Sequence, residues 1–358
     1  LSYTYTDPSG LSRYGWTGAL DQTFTEHYEA GLVPARISRV DRGLCTAITT
    51  SGPMRATFAA PHRPDPLLTP CTGDWAALRP GAEPHLVALL PRHSAIVRSS
   101  ASRSSREQVL AANVDMVVIA LSLATPLDAA KLERLLALAW ESGAQPLIVL
   151  TKADLAHDPE AVHAEAEALA PGVDILVTSV ATGHNIDVLA AMMHGTTVLL
   201  GPSGAGKSTL GNMLLGEELL ATGTVREQDG KGRHTTVRRE LLPLPGGGVL
   251  IDTPGLRGIS LHDAADGLEQ VFAEIEELAA YCRFGDCSHD TEPGCAVQAA
   301  IQAGELPERR LRSYHKLQRE NAWAASRTDA RLREERVNRQ KAITGHLRAT
   351  YRFRDQQP

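Results

Sequence analysis

Apolar positions along this chain change rhythm twice, and each rhythm predicts a different kind of element. From Ala35 to Val97 apolar and polar residues alternate in short stretches: Ala35-Arg36-Ile37-Ser38-Arg39-Val40, Leu44-Cys45-Thr46-Ala47-Ile48, Met54-Arg55-Ala56-Thr57-Phe58 and His85-Leu86-Val87-Ala88-Leu89-Leu90. A period of two places alternate side chains on one face of a strand. Asp41-Arg42-Gly43, Ser51-Gly52-Pro53 and Thr72-Gly73-Asp74 supply the turns between strands. Several short strands without helical periodicity predict a small antiparallel barrel over residues 34–98, of OB type or SH3-like. OB-type barrels often bind oligonucleotides, and a purely structural role is the other reading. Residues 1–33 carry little periodicity, with Tyr14-Gly15-Trp16 and Phe24 as scattered anchors, and are expected to form a partly ordered arm.

The stretch Arg98-Ser99-Ser100-Ala101-Ser102-Arg103-Ser104-Ser105-Arg106 breaks the first rhythm and predicts a linker at 99–106. Its arginines could equally touch a phosphate backbone. From 107 to 280, apolar runs alternate with helical periodicity. The strands are expected at 114–120, 146–150, 173–177, 196–200 and 249–251. Helices are expected at 128–142, 159–169, 185–194, from near Lys207, and at 266–280. This predicts an α/β domain, a doubly wound parallel sheet with helices on both faces and ligands at the carboxyl ends of the strands. Residues 281–358 form the last expected domain, mostly helical and basic toward its end.

A chain of 358 residues suits two or three domains. No uncharged apolar run is long enough for a membrane span, and no signal pattern opens the chain, so a cytoplasmic protein without a membrane partner is expected. A net charge of −6 argues against a uniformly basic nucleic-acid coat.

The candidate chemistry lies at the ends of the expected strands. Strand 196–200 runs into Gly201-Pro202-Ser203-Gly204-Ala205-Gly206-Lys207-Ser208-Thr209, which fits the P-loop pattern G-x-x-x-x-G-K-[ST]. Glycines let backbone N–H groups turn toward a phosphate, and the helix N-terminus adds positive potential. Lys207 is placed to reach the β- and γ-phosphates and Ser208 to ligate Mg²⁺. After strand 146–150 stands Thr151-Lys152-Ala153-Asp154, close to the N-K-x-D of GTP-binding proteins. An aspartate there accepts from guanine N1–H and N2–H₂, a donor pair adenine lacks. Thr178-Ser179-Val180 resembles the S-A-x segment whose backbone N–H meets guanine O6. Downstream, Gly232-Arg233-His234-Thr235-Thr236 fits a first switch, whose threonine ligates Mg²⁺ and contacts the γ-phosphate. Asp252-Thr253-Pro254-Gly255 fits the D-x-x-G of a second switch, with Asp252 holding Mg²⁺ through water and the Gly255 N–H sensing the γ-phosphate. The ligand is therefore expected to be GTP or GDP with Mg²⁺.

The order of these motifs is permuted, with base recognition ahead of the P-loop. Because domain termini often lie close together, such a permutation is physically accessible. It also makes the second switch run directly into the C-terminal domain, a route from nucleotide state to partner binding. Leu256 stands where many GTPases carry a water-orienting glutamine. Intrinsic hydrolysis is thus expected to be slow, with His234 the local candidate for positioning water.

Cys282, Cys287, His289 and Cys295 give C-x₄-C-x-H-x₅-C, a donor set for one closed, structural Zn²⁺. Cys45 and Cys71 fit no metal pattern and read as packing residues. A helix over 305–325 carries Arg309, Arg310, Arg312, Tyr314, Lys316 and Arg319, residues 327–358 add nine Arg or Lys against four acids, and such a tail suits phosphate contacts or a solvated helix face. Tyr351 and Phe353 between arginines could stack on bases.

Together the permuted order, the preceding barrel, Ala111-Ala112-Asn113-Val114-Asp115, Gly232-Arg233-His234-Thr235-Thr236, and Cys282-Arg283-Phe284-Gly285-Asp286-Cys287-Ser288-His289 through Glu292-Pro293-Gly294-Cys295 resemble one family. It is the circularly permuted GTPase family RsgA, also called YjeQ, of bacterial small-subunit maturation, and the resemblance spans about residues 14–345. It implies an OB-fold, a permuted GTPase domain and a zinc domain. It also implies binding to the small ribosomal subunit and its rRNA near the decoding centre, with subunit-stimulated hydrolysis followed by release. Thr151 and Val180 depart from the usual family residues. The protein is expected to act as a monomer. Two other readings stay open: an RNA-binding assembly module whose nucleotide site only switches conformation, and a P-loop kinase or ATPase indifferent to guanine.

Overall fold

The computed structural model describes residues 10–58, 69–99, 107–220, 239–252 and 265–328. They fall into two compact units, one holding the barrel and the central sheet, the other the C-terminal helices.

The first unit begins with a five-stranded barrel: β1 (Val33–Val40), β2 (Leu44–Thr49), β3 (Gly52–Thr57), β4 (Trp75–Arg79) and β5 (His85–Leu89). The order β1-β2-β3-β5-β4 closes where β4 pairs antiparallel with β1, and β3 meets β5 in parallel, the connectivity of an OB-type barrel. Ala35, Ile37, Cys45, Ala47, Ala56, Ala76, Leu78 and Leu86 fill the interior, where small side chains suit the narrow bore. The Cys45 thiol donates to Ala56 O at 3.7 Å. The Cys71 thiol donates to Val109 O at 3.3 Å. Burial pushes their pKa values up to about 11 and about 12, so both stay protonated and serve as packing groups.

Strand β4 was not expected, and its burial explains why. Ala76 and Leu78 face the bore, while Trp75 and Ala77 pack outward against Leu11, Trp16, Phe24, Leu32 and Leu90. A strand buried on both faces loses its polar–apolar alternation. The outer layer comes from the segment expected to be an arm with scattered anchors. A 3₁₀ turn at Ser12–Tyr14, α1 (Gly18–Thr23) and α2 (Thr25–Glu29) set Trp16 edge-on to both Phe24 and Trp75, at 5.7 and 4.9 Å between ring centroids. A two-stranded ribbon, β6 (Ala95–Ser99) and β7 (Glu107–Ala112), then leads on; residues 100–106 of the expected linker lie outside the described residues.

The central sheet has six strands: β8 (Met116–Ser122), β9 (Gln145–Thr151), β10 (Ile175–Val177), β11 (Thr196–Leu200), β12 (Glu240–Pro243) and β13 (Val249–Asp252). Their order is β10-β9-β8-β11-β13-β12. Five run parallel, as expected; β12 is an antiparallel edge strand on β13, so the sheet is mixed. Helices α3 (Ala129–Glu141), α4 (Pro159–Leu169), α5 (Ile186–Met192) and α6 (Lys207–Leu215) cover it. The Asp128 and Asp158 carboxylates accept from Lys131 N and Ala161 N and fix the starts of α3 and α4. Met116, Val118, Leu147, Val149, Leu199 and Leu250 face Leu189 of α5 and Leu210 and Leu214 of α6.

Barrel and sheet meet at a buried polar junction. Arg36 on β1 is only 1% exposed and stacks over Trp75 at 4.6 Å. Its Nη2 donates to Thr196 Oγ1 at 2.8 Å and to Asn113 O at 3.4 Å. Burial pulls its pKa down to about 10, with Asp115 and Asp74 opposing, so the guanidinium remains charged at neutral pH. Asn113, at φ 53°, donates from Nδ2 to Gly73 O at 3.0 Å. Asp115 accepts from Thr196 N at 2.6 Å. At Gly73 (φ +96°) a Cβ would stand 2.2 Å from Ala112 O, which reserves the position for glycine.

The second unit holds α7 (Ala265–Val271), α8 (Ala273–Ala279), α9 (Ala296–Ala303) and α10 (Glu308–Thr328). The single helix expected at 266–280 is two, broken at Phe272 (φ −116°, ψ 35°), whose ring is fully buried. Leu268, Val271, Ile275, Leu311, Tyr314 and Leu317 are buried with it. Among the described residues, no helix is long and apolar enough to cross a membrane.

Candidate nucleotide and metal sites

The nucleotide motifs assemble at the carboxyl ends of neighbouring strands. Thr151-Lys152-Ala153-Asp154 follows β9, Thr178-Ser179-Val180 follows β10, the P-loop follows β11, and Asp252 ends β13. With strands spaced about 4.8 Å apart, β9 and β11 stand roughly 10 Å from each other across β8, the scale separating a base from its phosphates. The chain reaches base recognition first and the P-loop second, so the permuted order closes into one site.

Gly201 starts the P-loop at φ +141°, and a Cβ there would lie 2.2 Å from Ala120 O on β8. The loop is therefore seated against the neighbouring strand before it turns into α6, which opens at Lys207 with Ser208 and Thr209 in its first turn. Ser203 and Gly204 are exposed at the rim and Ala205 is buried beneath. The Lys207 ammonium donates to Gly201 O at 2.8 Å and Pro202 O at 2.7 Å, folded across the hollow where the phosphates are expected.

The base-recognition loop is tied to the P-loop by side chains. Lys152, itself at φ 61°, donates from Nζ to Gly204 O at 2.8 Å. Buried Thr151 places Oγ1 2.7 Å from Ala205 O and 3.2 Å from Leu121 O. One hydroxyl hydrogen can serve only one of these carbonyls, and the shorter contact is the one to the P-loop. The departure from asparagine thus leaves a tether between the two loops, which sequence reasoning missed. Thr151→Val removes this donor at nearly constant volume. It should raise the Kd for GDP and GTP by about 5- to 30-fold, the equivalent of roughly 1–2 kcal/mol, with Thr151→Ser near wild type, read by titrating a fluorescent nucleotide.

Asp154 is exposed, and its carboxylate accepts from Ser179 Oγ at 2.5 Å. Ser179 in turn accepts from Thr182 N at 3.3 Å, and Ala153 N donates to Thr178 O at 3.1 Å. These bonds fix the two base-recognition loops to each other and aim the carboxylate outward. Val180 packs on the core below, leaving its backbone as the group available to a base. His234, Thr235, Thr236, Gly255 and Leu256 lie outside the described residues.

In the second unit, ligand atoms of Cys282, Cys287, His289 and Cys295 lie within 4.8 Å of one another. Cys282 Sγ is 3.9 Å from Cys295 Sγ, and His289 Nδ1 is 3.6 and 3.5 Å from those two sulfurs. A tetrahedral ion with thiolate bonds near 2.3 Å has edges of about 3.8 Å, so the donor set fits such a metal. Ala296 N points at Cys282 Sγ from 3.4 Å and helps to hold that thiol's pKa below its ordinary value, and Gln298 N points at Cys295 Sγ from 3.4 Å. Cys295, one of these four donors, also caps α9.

Arg310, expected among the phosphate-contacting residues, is buried instead. Arg310 is 3% exposed, pairs with Glu274 at 2.6 Å, donates to Val271 O at 2.7 Å and stacks over Phe272 at 4.5 Å. It holds the helices of this unit together and is withdrawn from the surface.

A family model described as RsgA GTPase matches residues 89–262. A Small ribosomal subunit biogenesis GTPase RsgA of Streptomyces coelicolor is 56% identical over 339 residues, covering 93% of this chain and 92% of that protein. One from Opitutus terrae is 41% identical over 360 residues, covering 96% and 98%. Among solved structures, YjeQ from Thermotoga maritima superposes with a TM-score of 0.59 at 24% identity, over 80% of this chain and 97% of that one. YloQ, described as a circularly permuted GTPase, gives 0.57 at 23% identity, over 81% and 94%. At such identities the structures speak for the fold alone.

Proposed function

The chain belongs to the RsgA family of small ribosomal subunit biogenesis GTPases, and from that premise we propose that it hydrolyses GTP to GDP and phosphate on the small ribosomal subunit, late in that subunit's maturation in the cytoplasm. The observation that carries the reading is the meeting of Asp154, Ser179, the P-loop and Asp252 along one edge of the sheet. In the proposed complex Asp154 and the Val180 backbone read guanine, and the loop 201–206 with Lys207 holds the phosphates. Ser208 and Asp252 hold Mg²⁺, which when bound neutralises charge developing on the phosphates. Thr235, Thr236 and Gly255 respond to the γ-phosphate, and His234 positions water because Leu256 cannot. Cys282, Cys287, His289 and Cys295 hold one structural Zn²⁺, leaving no open position for chemistry.

Docking on rRNA is supported by α10. Arg309, Arg312, Lys316 and Arg319 recur at intervals of three and four residues and all are exposed, so one helix face carries four cations. Gathering positive charge in such a stripe reconciles RNA binding with a net charge of −6.

The test is GTP turnover with and without purified small subunits across a salt series. Turnover should be slow alone, rise on adding subunits, and lose that stimulation steeply as salt increases. Absence of stimulation at every salt concentration would favour the second reading, an RNA-binding module whose nucleotide site only switches conformation. Leu256 in place of a glutamine is the observation on that side.

A further inference from the structure

The loop between Cys287 and Cys295 carries the histidine of the metal group, yet none of its residues from Ser288 to Gly294 belongs to a helix or strand. His289 sits there at φ 59°, in the left-handed region, which is uncommon for non-glycine residues although histidine enters it more readily than most. A carboxylate three residues downstream braces the backbone on both sides of it. Glu292 Oε1 accepts from Ser288 N at 3.1 Å and from the Ser288 hydroxyl. Its Oε2 accepts from Asp290 N at 3.0 Å and from Thr291 N at 3.1 Å. The donors thus come from both sides of His289. The histidine carbonyl is gripped separately by Gln298 Nε2 at 2.6 Å, from the helix that Cys295 opens.

We propose that Glu292 is the positioning residue of the metal centre: its carboxylate cinches the 288–292 loop so that His289 presents Nδ1, rather than Nε2, to the ion. Glu292 is not itself a ligand. Without it, His289 has to be reorganised into place each time the fourth bond forms, so the loss is read as faster release of metal. This rests on the reading of the Cys–His group as a zinc site.

The experiment uses the full-length zinc-loaded protein and its Glu292→Ala and Glu292→Gln variants. Each is mixed with excess 4-(2-pyridylazo)resorcinol, and zinc transfer is followed by absorbance. Glu292→Ala should release zinc about 10-fold faster than wild type, the low end of the affinity loss on removing an outer partner of a ligating histidine, because Glu292 acts on the loop and not on the imidazole itself. Glu292→Gln should fall between them, since its single carbonyl oxygen replaces only part of the carboxylate's capacity. Cobalt-substituted protein supplies a readout that a purely structural role would not move. At full occupancy the visible bands of tetrahedral Co²⁺ should weaken or shift in Glu292→Ala while the thermal transition of the nucleotide-binding unit stays in place. Wild-type release rates and cobalt spectra in both variants would overturn the proposal, and Glu292→Gln alone decides if the alanine variant does not fold. Wild-type protein that never holds zinc would remove the metal reading and the proposal together.

Discussion

Replacing Asp154 with alanine is expected to erase the preference for guanine nucleotides, weakening GTP and GDP about 10²- to 10⁴-fold while leaving the feeble binding of ATP nearly unchanged. The carboxylate accepts from two donors on guanine, and charge-assisted hydrogen bonds contribute roughly 1.5–3 kcal/mol each. Its orientation is already set by Ser179 Oγ at 2.5 Å, so little ordering remains to be done when the base arrives. The identity of the ligand can also be redirected. Asp154→Asn puts an amide donor where guanine carries an amine and should favour xanthine nucleotides, whose C2 substituent is a carbonyl. Competition among GDP, ATP and xanthosine diphosphate against a fluorescent GDP analogue checks both variants. A wild type that prefers ATP would refute the guanine assignment outright.

Cys287→Ser should drop the metal content from one ion per chain to near zero and abolish the cooperative unfolding of the C-terminal unit. Binding of a structural Zn²⁺ supplies about 10–16 kcal/mol in small domains, and that free energy is folding free energy there. The apolar contacts of the four helices remain, but the 282–295 segment loses the centre around which it is folded. GDP binding should persist, because the nucleotide-binding residues lie in the other compact unit. Elemental analysis gives the stoichiometry, and calorimetric scans with and without GDP separate the two transitions.

Whatever depends on contiguous residues was legible in the sequence. The P-loop works through successive backbone N–H groups, so its chemistry has to be written in one unbroken run, Gly201 to Thr209. Asp154 and Asp252 stood out as candidates because one follows an apolar strand by a few residues and the other ends one, and the Cys–His group because its four members fall within fourteen residues. Features set by contacts between distant segments were not. Trp75 to Leu78 read as featureless because the strand is covered on both faces, one of them by Trp16 and Phe24 from far upstream. The edge strand Glu240–Pro243 is too short to show a period. Arg310 looked like one more surface cation, and only the fold shows it turned inward onto Glu274 and Phe272. Glu292 carried no role of its own in the sequence, only a place in the run Glu292-Pro293-Gly294-Cys295, because its donors are mostly backbone groups, which sequence does not distinguish.

Arg36 makes the barrel and the sheet specific to each other. Its guanidinium reaches out of the barrel to Thr196, the first residue of the strand that delivers the P-loop, while Trp75 covers it and Gly73 lets Ala112 pass. A barrel borrowed from another protein would have to bring an arginine, a tryptophan and a glycine at these same three places before it could sit on this sheet. Exchanging either domain alone would strand a buried charge.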